Sequence, residues 1–240
     1  MSQLGQHINA VEVSLNSVRR TAEANRVAIA NGSDLLEDEQ KMERLDQLLN
    51  YLTVDVQTHD IYITGANLTV RKTQNDPDPD GTGNLIVGYN EGAAESKTGS
   101  HNLIIGDGHR YTSQNGIAIG TDHAILSTNA VAIGGIRNSV DGINGLVLGG
   151  SDNVVSASYS VIVGSERGTV TGPGSVALGG ENPRIEGQRS TTLGGLNNIV
   201  RGNLSATVGG WQVRANGDNV TIVGGDHLSI NGDDRTVVGP

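Results

Sequence analysis

Val131-Ala132-Ile133-Gly134, Leu146-Val147-Leu148-Gly149 and Val161-Ile162-Val163-Gly164 are apolar triplets closed by a glycine, 15 residues apart, and they decide how this chain folds. The same unit stands earlier at Leu85 to Gly88, Leu103 to Gly106 and Ile117 to Gly120. It returns later at Val176 to Gly179, Thr191 to Gly194, Ala206 to Gly209, Thr221 to Gly224 and Thr236 to Gly239. Steps between the closing glycines are 18, 14 and 14, then 15 seven times running. A fixed short period marks stacked, near-identical supersecondary units. Each unit is too short for a helix pair, and its glycine and β-branched content opposes helix altogether. The repeat predicts an all-β solenoid over residues 85–240, a parallel β-roll of 14–15-residue coils.

Counting each closing glycine as zero, apolar residues sit at −3 and −1, and again at +6 in Val140, Val155, Val170, Ile185, Val200, Ala215 and Ile230. A small residue follows at +8, as in Gly142, Ala157 and Gly172. Each coil thus reads as two short strands joined by tight turns whose glycines supply positive φ. Asn138, Asn153 and Asn198 at +4 fit a turn position tolerant of left-handed geometry, and stacked asparagines would ladder between coils. Position −2 is the informative one: Ile86, Ile104, Ala118, Ala132, Val147, Ile162, Ala177, Thr192, Thr207, Ile222 and Val237. With −3 and −1 facing the coil interior, alternation turns −2 outward. A strand apolar on both faces is buried on both. This reading places Ala118, Ala132, Val147, Ile162, Ala177, Ile222 and Val237 on a face where three rolls pack around one axis.

Ahead of the roll, apolar positions fall at 4, 8, 11, 15, 18, 22, 25 and 29, alternating steps of four and three. That is a heptad seam, with Ile8, Leu15, Ala22 and Ile29 at a, and Leu4, Val11, Val18 and Asn25 at d. β-branched residues at d favour trimers or tetramers over parallel dimers, and Asn25 reads either as a register device or as a local flaw. A break near 31–34, at Gly32, shifts the phase; Asp34 and Glu37 then restart a helix as a capping box. The second seam runs through Leu35, Met42, Leu45, Leu49 and Leu52. Residues 1–53 therefore read as a coiled-coil attachment region, with a fold-back helical hairpin as the alternative. Residues 54–84 form a neck, strand-like at Val54, Val56, Ile61 and Ile63 and then an acidic Pro/Gly linker at 75–81.

Composition narrows the function classes. The 240 residues include 35 Gly, one Trp, no Phe and no Cys, so neither a large aromatic core nor thiol chemistry is available. Net charge is −10; residues 1–101 carry 15 acidic and 8 basic groups, and the rest 11 and 8. An acidic chain without a basic stripe argues against nucleic acid as a partner. No apolar run reaches membrane-spanning length, and the N-terminus has no signal-peptide pattern, so neither membrane insertion nor export by a cleaved leader is expected. Asp76-Pro77-Asp78-Pro79-Asp80-Gly81 opens like a calcium loop, but Val87 stands where the bidentate acid belongs. The six histidines show no metal-ligand spacing, and no cofactor or metal is expected. Glu166, Glu181 and Glu186 are the acids a glycan-cleaving spike would need. Trp211, at +2 in its coil, is either a surface contact or a packing residue.

The runs Asn115-Gly116-Ile117-Ala118-Ile119-Gly120, Asn129-Ala130-Val131-Ala132-Ile133-Gly134 and Gly174-Ser175-Val176-Ala177-Leu178-Gly179 resemble the repeats of YadA-like adhesin heads. That resemblance implies a left-handed β-roll that trimerises and is joined to a trimeric coiled coil. The Gly-Gly pairs and Asn at +4 depart from that family's pattern. The order of coiled coil first and roll last resembles a bacteriophage fibre or spike. The expectation is an elongated, non-enzymatic homotrimer in a virion. Its N-terminal region would bind other virion proteins, and its roll a host-surface glycan or receptor. An unanchored bacterial adhesin and a glycan-depolymerising tailspike are the alternatives.

Overall fold

The computed structural model describes residues 14–23, 33–72 and 78–239. The chain divides into two compact units, Met1–Thr69 and Val70–Pro240.

In the first unit, residues 14–23 are helical and a second helix spans Ser33–Leu49. Strands Leu52–Asp55 and Asp60–Ile63 then form an antiparallel hairpin, with Leu52 opposite Ile63 and Val54 opposite Ile61. Leu52, assigned to the helical seam by its spacing, therefore belongs to a strand. The helix stops at Leu49 because Thr53 and Val54 prefer a pleated backbone and because Asp55 closes a turn. Its carboxylate accepts from the backbone N–H of Gln57 at 2.8 Å and of Thr58 at 3.2 Å. Those bonds hold the Asp55 pKa below the ordinary carboxylate value, the Gln57 N–H foremost. Ile8, Val11, Asn25, Ile29 and residues 31–32 of the expected break lie outside the described residues, as do the side chains of Asp34 and Glu37, while the backbone of Ser33 and Asp34 already belongs to the second helix.

The second unit is a parallel β-solenoid. An eleven-stranded sheet takes one strand per coil, from Leu85–Val87 through Val131–Ile136, Val161–Val163 and Thr191–Leu193 to Arg235–Val238. A nine-stranded sheet takes the other, from Arg110–Tyr111 through Val154–Val155 and Ile199–Val200 to Ser229–Ile230. The 15-residue period becomes register: Leu146 pairs with Val161, Val161 with Val176, and Val154 with Thr169. Each side chain thus sits over its equivalent in the next coil. At a strand spacing of about 4.8 Å the long sheet runs on the order of 50 Å.

The unit begins before the first repeat, because residues ahead of Leu85 fasten to coil one. Asp80 accepts hydrogen bonds from the Thr82 hydroxyl at 2.7 Å, the Thr82 N–H at 2.9 Å and the Ser100 hydroxyl at 2.9 Å, with Lys72 3.7 Å away. The Thr82 hydroxyl first, then its N–H, lower the Asp80 pKa to about 2. Part of the expected neck is therefore the covering of the roll's first coil.

The structure corrects the facing of the apolar triplet. Position −2 points into the coil: Ile104, Ala118, Ala132, Val147, Ile162, Ala177 and Ile222 are completely buried within a single chain. They form one core with the +6 residues Val140, Val155, Val170, Ile185, Val200 and Ala215 from the opposing sheet. Val237, in the last coil, is half-buried. The residues at −3 and −1 face outward. Coil width explains this parity: two short strands leave a narrow interior, which Ala, Thr and single Val or Ile side chains fill to close packing.

Corners are made by residues with left-handed backbone. Arg137, Asp152, Arg167, Asn182, Asn197, Gln212 and His227 at +3 all have φ between 53° and 56°. Asparagine at +4 is not itself left-handed; the corner falls one residue earlier. The Gly-Gly pairs build a further bend. A Cβ on Gly149 (φ 68°) would meet nothing within 4 Å, whereas one on Gly150 (φ 75°) would lie 2.0 Å from the Ser165 carbonyl oxygen.

Candidate functional site

Chemistry at the surface of the roll is set by which positions stack into columns. The outer side of the long sheet is an apolar face, made by the −3 and −1 columns. Ile133, Leu148, Val163, Leu178, Leu193, Val208 and Val223 follow one another at −1 and are paired in register. Leu178, Leu193, Val208 and Val223 are 37–39% exposed. The seven residues that sequence placed on an outward face thus lie one position away from the columns that face outward.

The first unit carries its own exposed apolar residues. Leu15, Val18, Leu45 and Leu49 of the proposed seam are 44–66% exposed, and Ala22 is exposed too. One side of the hairpin presents Val54, Ile61 and Ile63 to solvent, in line with the half-buried Leu52. Among the described residues no helix is long and apolar enough to cross a membrane.

Inside the roll, polar side chains climb from coil to coil at +4 and its equivalent in the 14-residue coils. His109 Nδ1 accepts from the His123 N–H at 3.2 Å, and His123 Nδ1 from the Asn138 N–H at 3.2 Å. Asn138 Oδ1 accepts from the Asn153 N–H at 3.1 Å and from Asn153 Nδ2 at 3.0 Å. Asn153 Oδ1 then accepts from the Gly168 N–H at 2.8 Å. The expected asparagine ladder is present, and two histidines extend it. An Nδ1 that accepts leaves Nε2 as the donor of that ring, and His109 Nε2 lies 3.1 Å from the Ile105 carbonyl oxygen. The rings stack with centroids 5.4 Å apart. Burial above all, then the His109 ring, lower the His123 pKa from its ordinary 6.5. His123 Nε2 is buried without a partner, as are the hydroxyls of Thr192 and Thr207 at −2.

The short sheet turns a polar face outward. Arg184, Ile199 and Arg214 form one column at +5, Glu186 and Arg201 another at +7. Arg184 Nε lies 2.7 Å from Glu186, and Arg201 Nε 3.4 Å from the same carboxylate. Arg167 bridges Glu166 and Glu181. All three glutamates that sequence offered as catalytic acids are thus bound by arginines. At the corner, Arg137 grips Asp152 through Nε at 2.7 Å and Nη2 at 2.9 Å, which holds that carboxyl below its ordinary pKa. Trp211 is 46% exposed and meets the His227 ring edge-on, centroids 4.8 Å apart, in a bridge column between Leu196 and Asp226. It is both packed and accessible.

Sequence reading missed the arginine column and the histidine pair. Both were available by writing the coils one above another at their true period, because in-register stacking turns i, i+15 and i+30 into neighbours. The chain matches no family model, and no curated protein matches it.

Proposed function

We propose that this protein is a non-enzymatic, homotrimeric fibre or spike subunit. In this reading the N-terminal helical region joins a virion by a parallel coiled coil, and the roll serves as a rigid adhesive rod. The observation that carries the reading is the apolar outer face of the eleven-stranded sheet. Side chains such as Leu178 and Leu193 gain burial only against another surface, and an identical rod offers the same columns at the same spacing. The exposed seam residues Leu15, Val18, Leu45 and Leu49 support helical association, and Val18, β-branched at d, leans it towards three or four strands. Engagement of Glu166, Glu181 and Glu186 by arginines supports a structural role for those acids over glycoside hydrolysis.

Static light scattering of the purified chain at micromolar concentration tests the assembly. A mass three times the 24.9 kDa of one chain is expected, and a monomer would overturn the proposal. Labelling intact particles with an antibody to the roll tests the virion placement.

A further inference from the structure

We infer that the outward face of the short sheet holds an anionic-sugar site, a groove along the +5 column from Arg184 to Arg214 that takes an extended uronate-containing glycan. The groove is a surface depression of about 330 Å³ lined by Asn182, Arg184, Asn197, Ile199, Gln212 and Arg214. These are the +3 and +5 residues of three successive coils, so one strand register builds the whole site. Ile199 lies between the two arginines as an apolar floor. Arg184 and Arg214 stand two coils apart in that column, about 10 Å, close to the span of two linked hexoses.

Charge points to the ligand class. The chain carries −10 overall, yet the groove lining contains two arginines and no acid. Arg214 has no carboxylate partner among the described residues, whereas Arg184 is shared with Glu186 at 2.7 Å. Guanidinium forks suit carboxylates placed at intervals along a polymer. The amides suit hydroxyls. Asn182 Nδ2 donates to Asn197 Oδ1 at 2.8 Å, which leaves Asn197 Nδ2 as a donor and Asn182 Oδ1 as an acceptor, with the Gln212 amide beside them. All three stand on corners with φ of 53–56°, so their backbone positions are fixed, and the bond between Asn182 and Asn197 orients those two amides before the ligand arrives. Nucleic acid fits less well. The acidic chain repels a dense phosphate polymer, and no aromatic lines the groove to stack a base.

This deepens the adhesive reading above, but the site lies within one chain. Loss of glycan binding would leave the trimer standing, and a monomeric chain would leave the groove. In a trimer three grooves would act together, raising avidity on a glycan-coated surface.

The test uses the full chain immobilised at low salt, with oligogalacturonate as probe, dextran as the uncharged control and single-stranded DNA as the phosphate control. Binding of oligogalacturonate alone is expected. The Arg184→Gln/Arg214→Gln double variant should bind about tenfold more weakly, with circular dichroism and mass unchanged. Gln212→Glu should weaken binding by placing a like charge in an intact groove, and Arg235→Gln, outside it, should not. Absence of oligogalacturonate binding, equal binding of dextran, tighter binding of DNA or an undiminished double variant would each overturn the inference.

Discussion

Replacing Leu178, Leu193 and Val208 together by threonine separates assembly from folding. All three lie in one outward column, 37–39% exposed, and threonine already occupies outward positions at Thr191 and Thr221. The single chain should therefore keep its fold. Full burial of such a side chain is worth about 1.5–3 kcal/mol, so the share still open to solvent represents about 0.6–1.2 kcal/mol each. Threonine retains one methyl, which roughly halves the loss, and three positions in three copies make nine side chains. The trimer should lose about 4 kcal/mol, or roughly a thousandfold in its dissociation constant. For a trimer the midpoint concentration follows the square root of that constant, a shift of about thirtyfold. Sedimentation velocity over a dilution series, in urea at which the parent dissociates in the micromolar range, reads this directly. Ile162→Ala is the contrast, because its side chain is completely buried within the coil. It should cost the chain about 2–5 kcal/mol and lower the melting temperature of the assembly through the fold itself. Equal midpoints for the triple variant and the parent would refute the outward assignment of the −1 column.

Four further outcomes follow from the interior and the corners. The His123 pKa is depressed in the fold, so the unfolded chain binds more protons below about pH 6.5, and stability present above that pH falls as pH drops towards the folded value. His123→Asn, which continues the asparagine ladder, should flatten that fall in melting temperature between about pH 7 and pH 5; parallel curves for parent and variant would contradict it, and Asp122, the nearby acid, is common to both. Thr192→Val and Thr207→Val remove buried hydroxyls that have no partner and should each raise stability by about 1 kcal/mol in denaturant unfolding; a loss would show that the hydroxyls are bonded. Gly150→Ala should cost more than Gly149→Ala, because only the first sets a methyl 2.0 Å from a neighbouring carbonyl; the open position should cost about 1–2 kcal/mol for its left-handed backbone alone. Leu204→Asn should raise the melting temperature, since Leu204 is an exposed branched residue at φ 53° whose stacked neighbour is Asn219.

Much of this architecture was legible in the sequence, and the part that was not has a physical cause. The apolar-triplet and glycine unit gave the number of coils, because it recurs once per strand of the long sheet even where the step is 18 or 14 and the extra or missing residues fall in the turns. The +6 column and the asparagine ladder at +4 were legible for the same reason. Facing was not, because the triplet is apolar at all three positions and a period of two has no absolute phase. Side-chain shape held the missing phase: −2 takes Ala, Thr and β-branched Val or Ile, as at Ala118, Ala132 and Ile162, whereas leucine stands only at −3 and −1, as at Leu146, Leu148, Leu178 and Leu193. The left-handed corner was misplaced by one residue because asparagine suits both a positive φ and a buried ladder, and at Asn138 and Asn153 the ladder decides. The Leu52 strand was hidden because Leu45, Leu49 and Leu52 keep helical spacing up to the residue where the hairpin begins.

The corrected facing alters which residues the proposed trimer would bring together. While −2 was taken as the outer column, alanine and threonine made up five of its eleven positions, at Ala118, Ala132, Ala177, Thr192 and Thr207, and these offer little area. With −3 and −1 outside, the −1 column is Val, Ile or Leu in every coil, and −3 is too as far as Val176, with Thr191, Ala206, Thr221 and Thr236 beyond it. The short sheet differs: its outer columns hold Arg184, Glu186, Arg201 and Arg214, whose charges would be costly to bury against a copy of themselves. One rod thus has a side that gains from meeting its own kind and a side that loses by it. In a closed three-fold assembly the first turns to the axis and the second to the outside. The arginine groove then stays open to solvent in the assembled state, and each added coil lengthens the contact surface and the recognition surface together.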